Sequence, residues 1–190
     1  MNMPNSVKRR AHQPRLAFYH PTSSGGGAAM RLEFHPARPD RDGCFFLEMA
    51  RQKSLAGRNE SGRQAATFDW EEKITVKLGF TDVCGLLLVL EGRCEQAGGG
   101  RGLFHDTPEG STVINLRHNA EPAGYALELS RKLKQAGAEP QRLRVVLTEA
   151  EALGLRAVFQ SALFYLVFSM SDGNPGVEKP VVGAADTVGP

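Results

Sequence analysis

A chain of 190 residues with 41% hydrophobic content can bury one good core, so a single domain is expected. Its three cysteines, Cys44, Cys84 and Cys94, have no CxxC spacing, which argues against a disulfide framework or a zinc site. The net charge is only +2, but residues 1–66 carry 11 basic and 5 acidic side chains, and residues 67–190 carry 12 and 16. A basic N-terminal third suits a polyanionic partner, although a solubilising tail has the same composition.

The N-terminal segment lacks the apolar core of a signal peptide, and the longest apolar run, residues 162–168, is too short to cross a bilayer. A soluble, cytoplasmic protein without membrane contact is therefore expected. The absence of acidic residues before Glu33 is also typical of an organelle transit peptide, but no clear amphipathic helix accompanies it.

The first third of the chain predicts an arm and two strands. Residues 1–27 contain isolated prolines and three consecutive glycines, so they are expected to form a flexible basic arm with at most a short strand at 16–19. Residues 28–35 and 44–50 have the composition of strands, and a Pro- and Gly-containing turn joins them. The polar residues 51–66 predict a flexible loop.

Residues 68–90 contain the clearest pattern in the chain. Apolar and polar side chains alternate there, with Ile74, Val76 and Leu78 on one side and Lys73, Thr75 and Lys77 on the other. This period of two predicts a half-buried strand with a basic, solvated face. Thr81 is expected to cap a following helix and Asp82 to favour its N-terminus. Residues 83–90 are apolar nearly all round, so this helix must be covered on every side.

The second half repeats this order of elements. Strands are predicted at residues 103–106, 111–118, 125–129 and 142–147. Thr148, with Glu151 at the capping-box position, opens a second apolar helix that continues through Leu166. Seven or eight strands and two helices indicate an α+β fold, and the repeated strand, Thr cap and apolar helix suggest a pseudo-duplicated architecture. Residues 169–190 have no apolar period and are expected to be a disordered tail.

His105, Asp106 and Ser111 are the nearest approach to a hydrolase site. No nucleophile elbow such as GxSxG surrounds the serine, and closeness in sequence does not create a triad. Hydrogen bonding at a strand end explains His105 and Asp106 better. We therefore expect a protein that is not an enzyme and that uses no cofactor and no metal.

Cations beside aromatic side chains on strand faces are the stronger functional signal. Lys73 and Lys77 share one face close to Trp70. Sheets that bind single-stranded nucleic acid combine cations for the phosphates with flat side chains for the bases. The alternative is that the aromatic residues are core residues, which is the preferred interpretation for Phe34, Phe104 and Phe159.

Several short motifs, in this order, resemble the Whirly proteins over roughly residues 28–168. They are Arg41-Asp-Gly-Cys-Phe-Phe-Leu47, Phe68-Asp-Trp-Glu-Glu-Lys73, Leu78-Gly-Phe-Thr-Asp-Val83, Phe104-His-Asp106 and Thr148-Glu-Ala-Glu151. The resemblance implies two packed antiparallel four-stranded sheets with a helix after each. It also implies a tetramer assembled through the helices, and binding of single-stranded DNA with little sequence preference.

One departure from the family pattern concerns its Lys-Gly-Lys-Ala-Ala-Leu-Ser motif. The matching segment here, Gly25-Gly-Gly-Ala-Ala-Met-Arg31, lacks both lysines. Either Arg31 and the basic arm (Lys8, Arg9, Arg10 and Arg15) replace that charge, or the affinity is weaker or the ligand is different. Because related folds include guide-RNA-binding proteins, RNA remains an open alternative.

The sequence thus predicts an arm at residues 1–27, a Whirly-like domain at 28–168 and a tail at 169–190. The expected function is low-specificity binding of single-stranded nucleic acid, DNA before RNA, in transcription regulation or DNA maintenance of a bacterial or phage-like cytoplasm. The alternative is an oligomeric scaffold of the same fold that does not bind DNA. Phosphates are expected on Arg31, Lys73, Lys77 and Arg117, and bases against Met30, Phe45, Phe46 and Trp70.

Overall fold

The computed structural model describes residues 15–59 and 62–169, which form an α+β fold with two four-stranded antiparallel sheets and two helices. The strands are β1 (Arg15–His20), β2 (Ala28–His35), β3 (Cys44–Arg51), β4 (Gly57–Asn59), β5 (Gly62–Gln64), β6 (Ile74–Leu78), β7 (Leu103–Asp106), β8 (Gly110–Asn119), β9 (Gly124–Leu133) and β10 (Gln141–Leu147). The helices are α1 (Phe80–Leu90), α2 (Glu149–Val167) and a short 3-10 segment, Ala97–Gly100.

The first sheet has the strand order β1-β2-β3-β6, and α1 follows its last strand. The predicted alternation holds: in β6 the side chains of Ile74, Val76 and Leu78 are buried and those of Thr75 and Lys77 are exposed. In register with them, β2 and β3 turn Leu32 and Leu47 towards the same side. The first sheet therefore has one inner face in the core and one outer face turned to solvent.

The second sheet is a continuous meander with the order β10-β9-β8-β7, and α2 follows β10. Leu129, Ile114 and Leu143 lie in one cross-strand row of its inner face. This row joins the same buried cluster as the inner residues of the first sheet and both helices. One hydrophobic core thus serves all the layers, as expected for a domain of this size.

Helix α1 begins differently from the prediction. Its N-cap is Gly79, whose N–H donates to the Asp82 carboxylate at 2.9 Å, so Thr81 lies in the first turn and is not the cap. The prediction for Thr81 is wrong because Asp82, three residues after the N-cap, reaches back to the first backbone donor. Most of the apolar surface of α1 is buried within this one chain, which leaves Phe80 and Leu88 exposed.

Helix α2 begins as predicted. The Thr148 hydroxyl accepts from the N–H of Glu151 at 3.2 Å, and the Glu151 carboxylate accepts from the N–H of Thr148 at 2.8 Å. By length and composition this helix could also cross a membrane. Its inner side, with Leu155, Phe159 and Leu166, is nevertheless packed in the core. This packing favours a core helix over a membrane span.

The structure changes two predicted boundaries. β1 lies inside the segment assigned to the flexible arm; it confirms the short strand expected at residues 16–19, extends it to residues 15–20, and pairs with β2 along its whole length. Residues 1–14 and 170–190 lie outside the described residues. Within the predicted loop at 51–66, β4 and β5 pair as a small hairpin. Local composition hid this hairpin because its polar, Gly-containing segment has the composition of a loop.

The two threonines provide a matched test of the helix starts. Thr148→Ala removes a side-chain cap and should lower the free energy of unfolding by about 1 kcal/mol. Thr81→Ala removes no cap, so it should change stability by less than about 0.5 kcal/mol. Urea denaturation of both variants measures the difference, and equal losses would contradict the assignment of Gly79 as the N-cap of α1.

Candidate nucleic-acid interface

The outer face of the first sheet carries four cations and two carboxylates. Cross-strand register aligns Arg31 with Glu48 and Glu33 with Phe46 on this face. The charged members are Arg15, Arg31, Glu33, Glu48, Lys73 and Lys77. Because the inner face is filled by the core, all of these groups lie on the side that a ligand can reach.

A cluster of four side chains occupies the centre of this face. The guanidinium of Arg31 lies 3.4 Å from the centroid of the Trp70 ring, the geometry of a close cation–π contact. The same guanidinium is 3.1 Å from the Glu48 carboxylate, which also pairs with the Lys73 ammonium. Nε of Arg31 is buried and has no hydrogen-bond partner among the described residues, so the ion pair with Glu48 leaves this donor of Arg31 unused. We call Arg31, Glu48, Trp70 and Lys73 the Arg31 cluster.

Two more aromatic rings adjoin the Arg31 cluster. Tyr19, on β1, lies 5.6 Å from the ring of Phe68 and 6.4 Å from that of Trp70 between centroids. The segment that carries Phe68 and Trp70 is attached to the end of β3, since the N–H of Asp69 donates to the carbonyl of Arg51 at 2.8 Å. Tyr19 is 55% exposed, so it presents a ring on which a base can stack.

A second carboxylate on this face is held in its charged form. Burial alone would raise the pKa of Glu33, but hydrogen bonds and charges from Arg15 and His35 outweigh it and hold the pKa below its usual value. Arg15 lies 2.6 Å and His35 3.0 Å from the Glu33 carboxylate. Glu33 and Glu48 therefore pair with three of the four cations on the outer face of the first sheet; Lys77 forms no ion pair with any described residue.

The outer face of the second sheet differs from that of the first in how its cations are paired. Four cations project from it. In the cross-strand register, Arg117 lies opposite Ala126, Lys132 opposite Ser111, Arg142 opposite Ser130 and Arg144 opposite Glu128. None of these four cations forms an ion pair within residues 15–59 and 62–169. Phe104 lies on the same face and is 66% exposed. This face therefore combines unpaired cations with an accessible ring.

The predicted site residues separate into two groups. The structure brings Arg31, Phe46, Trp70, Lys73 and Lys77 to the outer face of the first sheet and puts Arg117 on that of the second. Met30 and Phe45 do not join them, because they lie at inward positions of β2 and β3 and are 1% and 2% exposed. Their prediction as base contacts is wrong, since the pleat turns alternate residues to opposite faces.

Four side chains on these faces were not predicted as ligand-binding residues. Tyr19 was missed because its strand was included in the arm, and Phe104 because it was interpreted as a core residue. Arg142 and Arg144 alternate with buried Leu143 and Val145, so the sequence did contain their outward orientation. What the sequence lacked was the position of β10 at an edge of the second sheet.

His105, Asp106 and Ser111 do not converge on a catalytic geometry. Nε2 of His105 is 3.1 Å from the Asp82 carboxylate, which also accepts a hydrogen bond from the N–H of Gly79, the N-cap of α1. Asp106 pairs with Lys134 at 2.8 Å. In β7, His105 and Asp106 project to opposite faces of the sheet, and each is occupied by a separate structural partner.

Solved structures with this fold include the following three. WHY1 from Arabidopsis thaliana is 19% identical, with a TM-score of 0.63 over 81% of this chain and 85% of that one. WHY3 from Arabidopsis thaliana is 19% identical, with a TM-score of 0.62 over 80% and 88% of the two chains. The plant transcriptional regulator PBF-2 is also 19% identical, with a TM-score of 0.60 over 80% and 81%. No protein-family model matches the chain. No curated protein matches it significantly. The chain therefore has the fold of the Whirly proteins.

Proposed function

We propose that this protein binds single-stranded nucleic acid, with DNA as the favoured ligand and little sequence preference, in transcription regulation or DNA maintenance. The observation that carries the proposal is the Arg31 cluster beside the exposed ring of Tyr19. Cations for phosphates and rings for bases then occur on one solvent-facing sheet, the combination used by proteins that bind single strands. The shared fold with a plant transcriptional regulator adds support.

A single strand fits this surface better than a duplex. Stacking on Tyr19 or on the plane of the Arg31 guanidinium requires a base whose face is free, and duplex bases are already stacked on one another. The aromatic side chains contact no particular base edge, so they would accept any base. Direct readout of duplex sequence needs an element that enters a groove, and a flat sheet face provides none.

Titration of fluorescently labelled oligonucleotides tests the function. Single-stranded DNA, duplex DNA and RNA of one sequence are each added to the full chain at two salt concentrations. We expect the single strand to bind far better than the duplex, and we expect Tyr19→Ala to cost about 1–3 kcal/mol of binding free energy. Preference for RNA would change the ligand class. Equal binding of duplex and single strand, or no binding, would favour the scaffold alternative.

Glu48 provides a sharper form of this test. Because its carboxylate pairs with Arg31 and Lys73, a phosphate that reaches these cations must compete with it. Glu48→Gln should tighten single-strand binding by up to roughly fivefold, the equivalent of about 1 kcal/mol for an ion pair near the surface. Glu33→Gln is the matched control, since it removes one charge from the same face without touching the Arg31 cluster. Equal gains in both variants would indicate a general charge effect without a role for the cluster.

We also propose a homo-oligomer, most simply a tetramer, assembled through α2. Several large apolar side chains are exposed along this helix and at its C-cap: Leu153, Val158, Phe164, Tyr165 and Phe168. Beside it, a groove of about 440 Å³ is lined mainly by apolar residues, among them Phe34, Val158 and Tyr165. A contiguous apolar surface of this kind is typical of an interface between protein chains. A second copy of the same helix face would cover it.

Phe164→Asp tests the assembly. Burying an unpaired carboxylate in an apolar interface costs several kcal/mol, so the variant should dissociate while keeping its fold. The control is Leu55→Asp, because Leu55 is similarly exposed but lies in the loop after β3. Light scattering should give an oligomer mass for the wild type and the control and a monomer mass for Phe164→Asp. A wild-type monomer at micromolar concentration would remove the proposal.

A further inference from the structure

A groove lies where the first sheet meets the edge strand of the second. It has a volume of about 470 Å³ and is lined by residues 24–28, by Arg51 and by residues 142–144. The first lining segment is the turn between β1 and β2, Arg51 ends β3, and the last segment belongs to β10. Parts of the chain that are distant in sequence thus form one concave surface.

The β1–β2 turn forms one wall of the groove, and side-chain hydrogen bonds from Gln52 fix its conformation. The side chain of Gln52 is buried and uses both ends of its amide: Oε1 accepts from the N–H groups of Thr22 and Gly27, and Nε2 donates to the carbonyls of Thr22 and Ser54. A Cβ on Gly27 would collide with the His20 carbonyl and Gln52 Oε1. The turn is therefore fixed, and only glycine allows the backbone to approach the His20 carbonyl and Gln52 this closely.

Positive charge is concentrated around this groove. Arg51, Arg142 and Arg144 are exposed, and none pairs with a carboxylate in the part of the chain that the structure describes. Three guanidinium groups around one concave surface repel each other unless an anion lies between them. Arginine donors match phosphate oxygens in geometry as well as in charge.

Two hydrogen bonds link the surroundings of the groove to the segment that carries Trp70. Arg51 lines the groove, and its carbonyl holds Asp69, the residue before Trp70. The side-chain amide of Gln141, at the start of β10, donates to the carbonyl of Glu72 at 3.3 Å. The segment that carries Trp70 is therefore attached both to the end of β3 and to the start of β10. Beyond β10, Arg117 and Lys132, which form no ion pair with a described residue, continue the positive surface.

We propose that this groove binds the phosphodiester backbone of a single strand and leads it from the outer face of the first sheet to that of the second. This inference rests on the proposed function and adds its path: bases contact Tyr19 and the Arg31 cluster, and the following phosphates lie between Arg51, Arg142 and Arg144. A strand long enough to turn this corner reaches these arginines, whereas a short strand does not.

The test compares strand lengths in the full chain. Labelled oligothymidylates of roughly 4 and 16 nucleotides, the range of site sizes in small single-strand-binding domains, are titrated at about 50 and 200 mM salt. We expect Arg142→Ala/Arg144→Ala to weaken binding of the long strand and leave the short strand unchanged. For the long strand, the ratio of the dissociation constants at the two salt concentrations should fall by about 2.6-fold for each phosphate that the variant no longer neutralises, from a slope of roughly 0.7 per phosphate.

Arg38→Ala/Arg41→Ala is the control variant, because both arginines are exposed in the loop at the opposite end of β2 and β3. It should leave both affinities unchanged. If the wild type binds the long strand and Arg142→Ala/Arg144→Ala binds it with the same affinity and salt slope, the groove is not on the path, although the proposed function stands. A wild type that binds neither strand removes the proposed function itself.

Thymidine monophosphate is the last probe of the groove. Its binding should be weak in the wild type, because a single phosphate engages only part of the groove. Binding that needs Arg142 and Arg144, while the variant keeps its full affinity for the long strand, would assign the groove to a separate ligand and overturn the proposal.

Discussion

The structure depends on one constraint: a single core is shared by the inner faces of both sheets and by both helices. Each sheet therefore has only one face left for solvent, and the period of two sends its polar side chains there. In the first sheet this places Arg31, Glu48 and Lys77 on a common surface. The same constraint leaves α2 with an inner side that is buried and an outer side whose apolar residues have no partner within the described chain. The two proposed surfaces, one for a strand and one for another subunit, follow from it.

Charge pairing distinguishes the two outer faces. On the first sheet, Glu48 balances Arg31 and Lys73, and the guanidinium is stacked on Trp70 before any ligand arrives. These contacts preorganise the site, because the side chains need little reordering when a ligand binds. Glu48, however, competes with any phosphate for Arg31 and Lys73. On the second sheet Arg142 and Arg144 have no such competitor within the described residues. The first face is therefore suited to hold bases, and the groove and second face to supply the charge.

Local pattern predicted most elements of this fold. The alternation in β6 and the capping box of Thr148 indicated the right elements because both signals lie within a few residues. Met30 and Phe45 were assigned to the wrong face, although an outward Arg31 already required an inward Met30. Tyr19, Glu48 and the groove depend on pairings between distant segments, such as Asp69 with Arg51 and Gln141 with Glu72. Such pairings have no local signature, and only the assembled sheets bring them together.

Trp70 is the only tryptophan in the chain, so its emission reports directly on the Arg31 cluster. The most direct test of the account is a titration of the unlabelled wild-type protein with single-stranded DNA, monitored by tryptophan fluorescence and by acrylamide quenching. If the strand lies across the outer face of the first sheet, the emission should change to saturation and the indole should become less accessible to acrylamide. Binding detected by another method, with tryptophan emission and quenching unchanged throughout, would put the strand elsewhere and contradict the central claim.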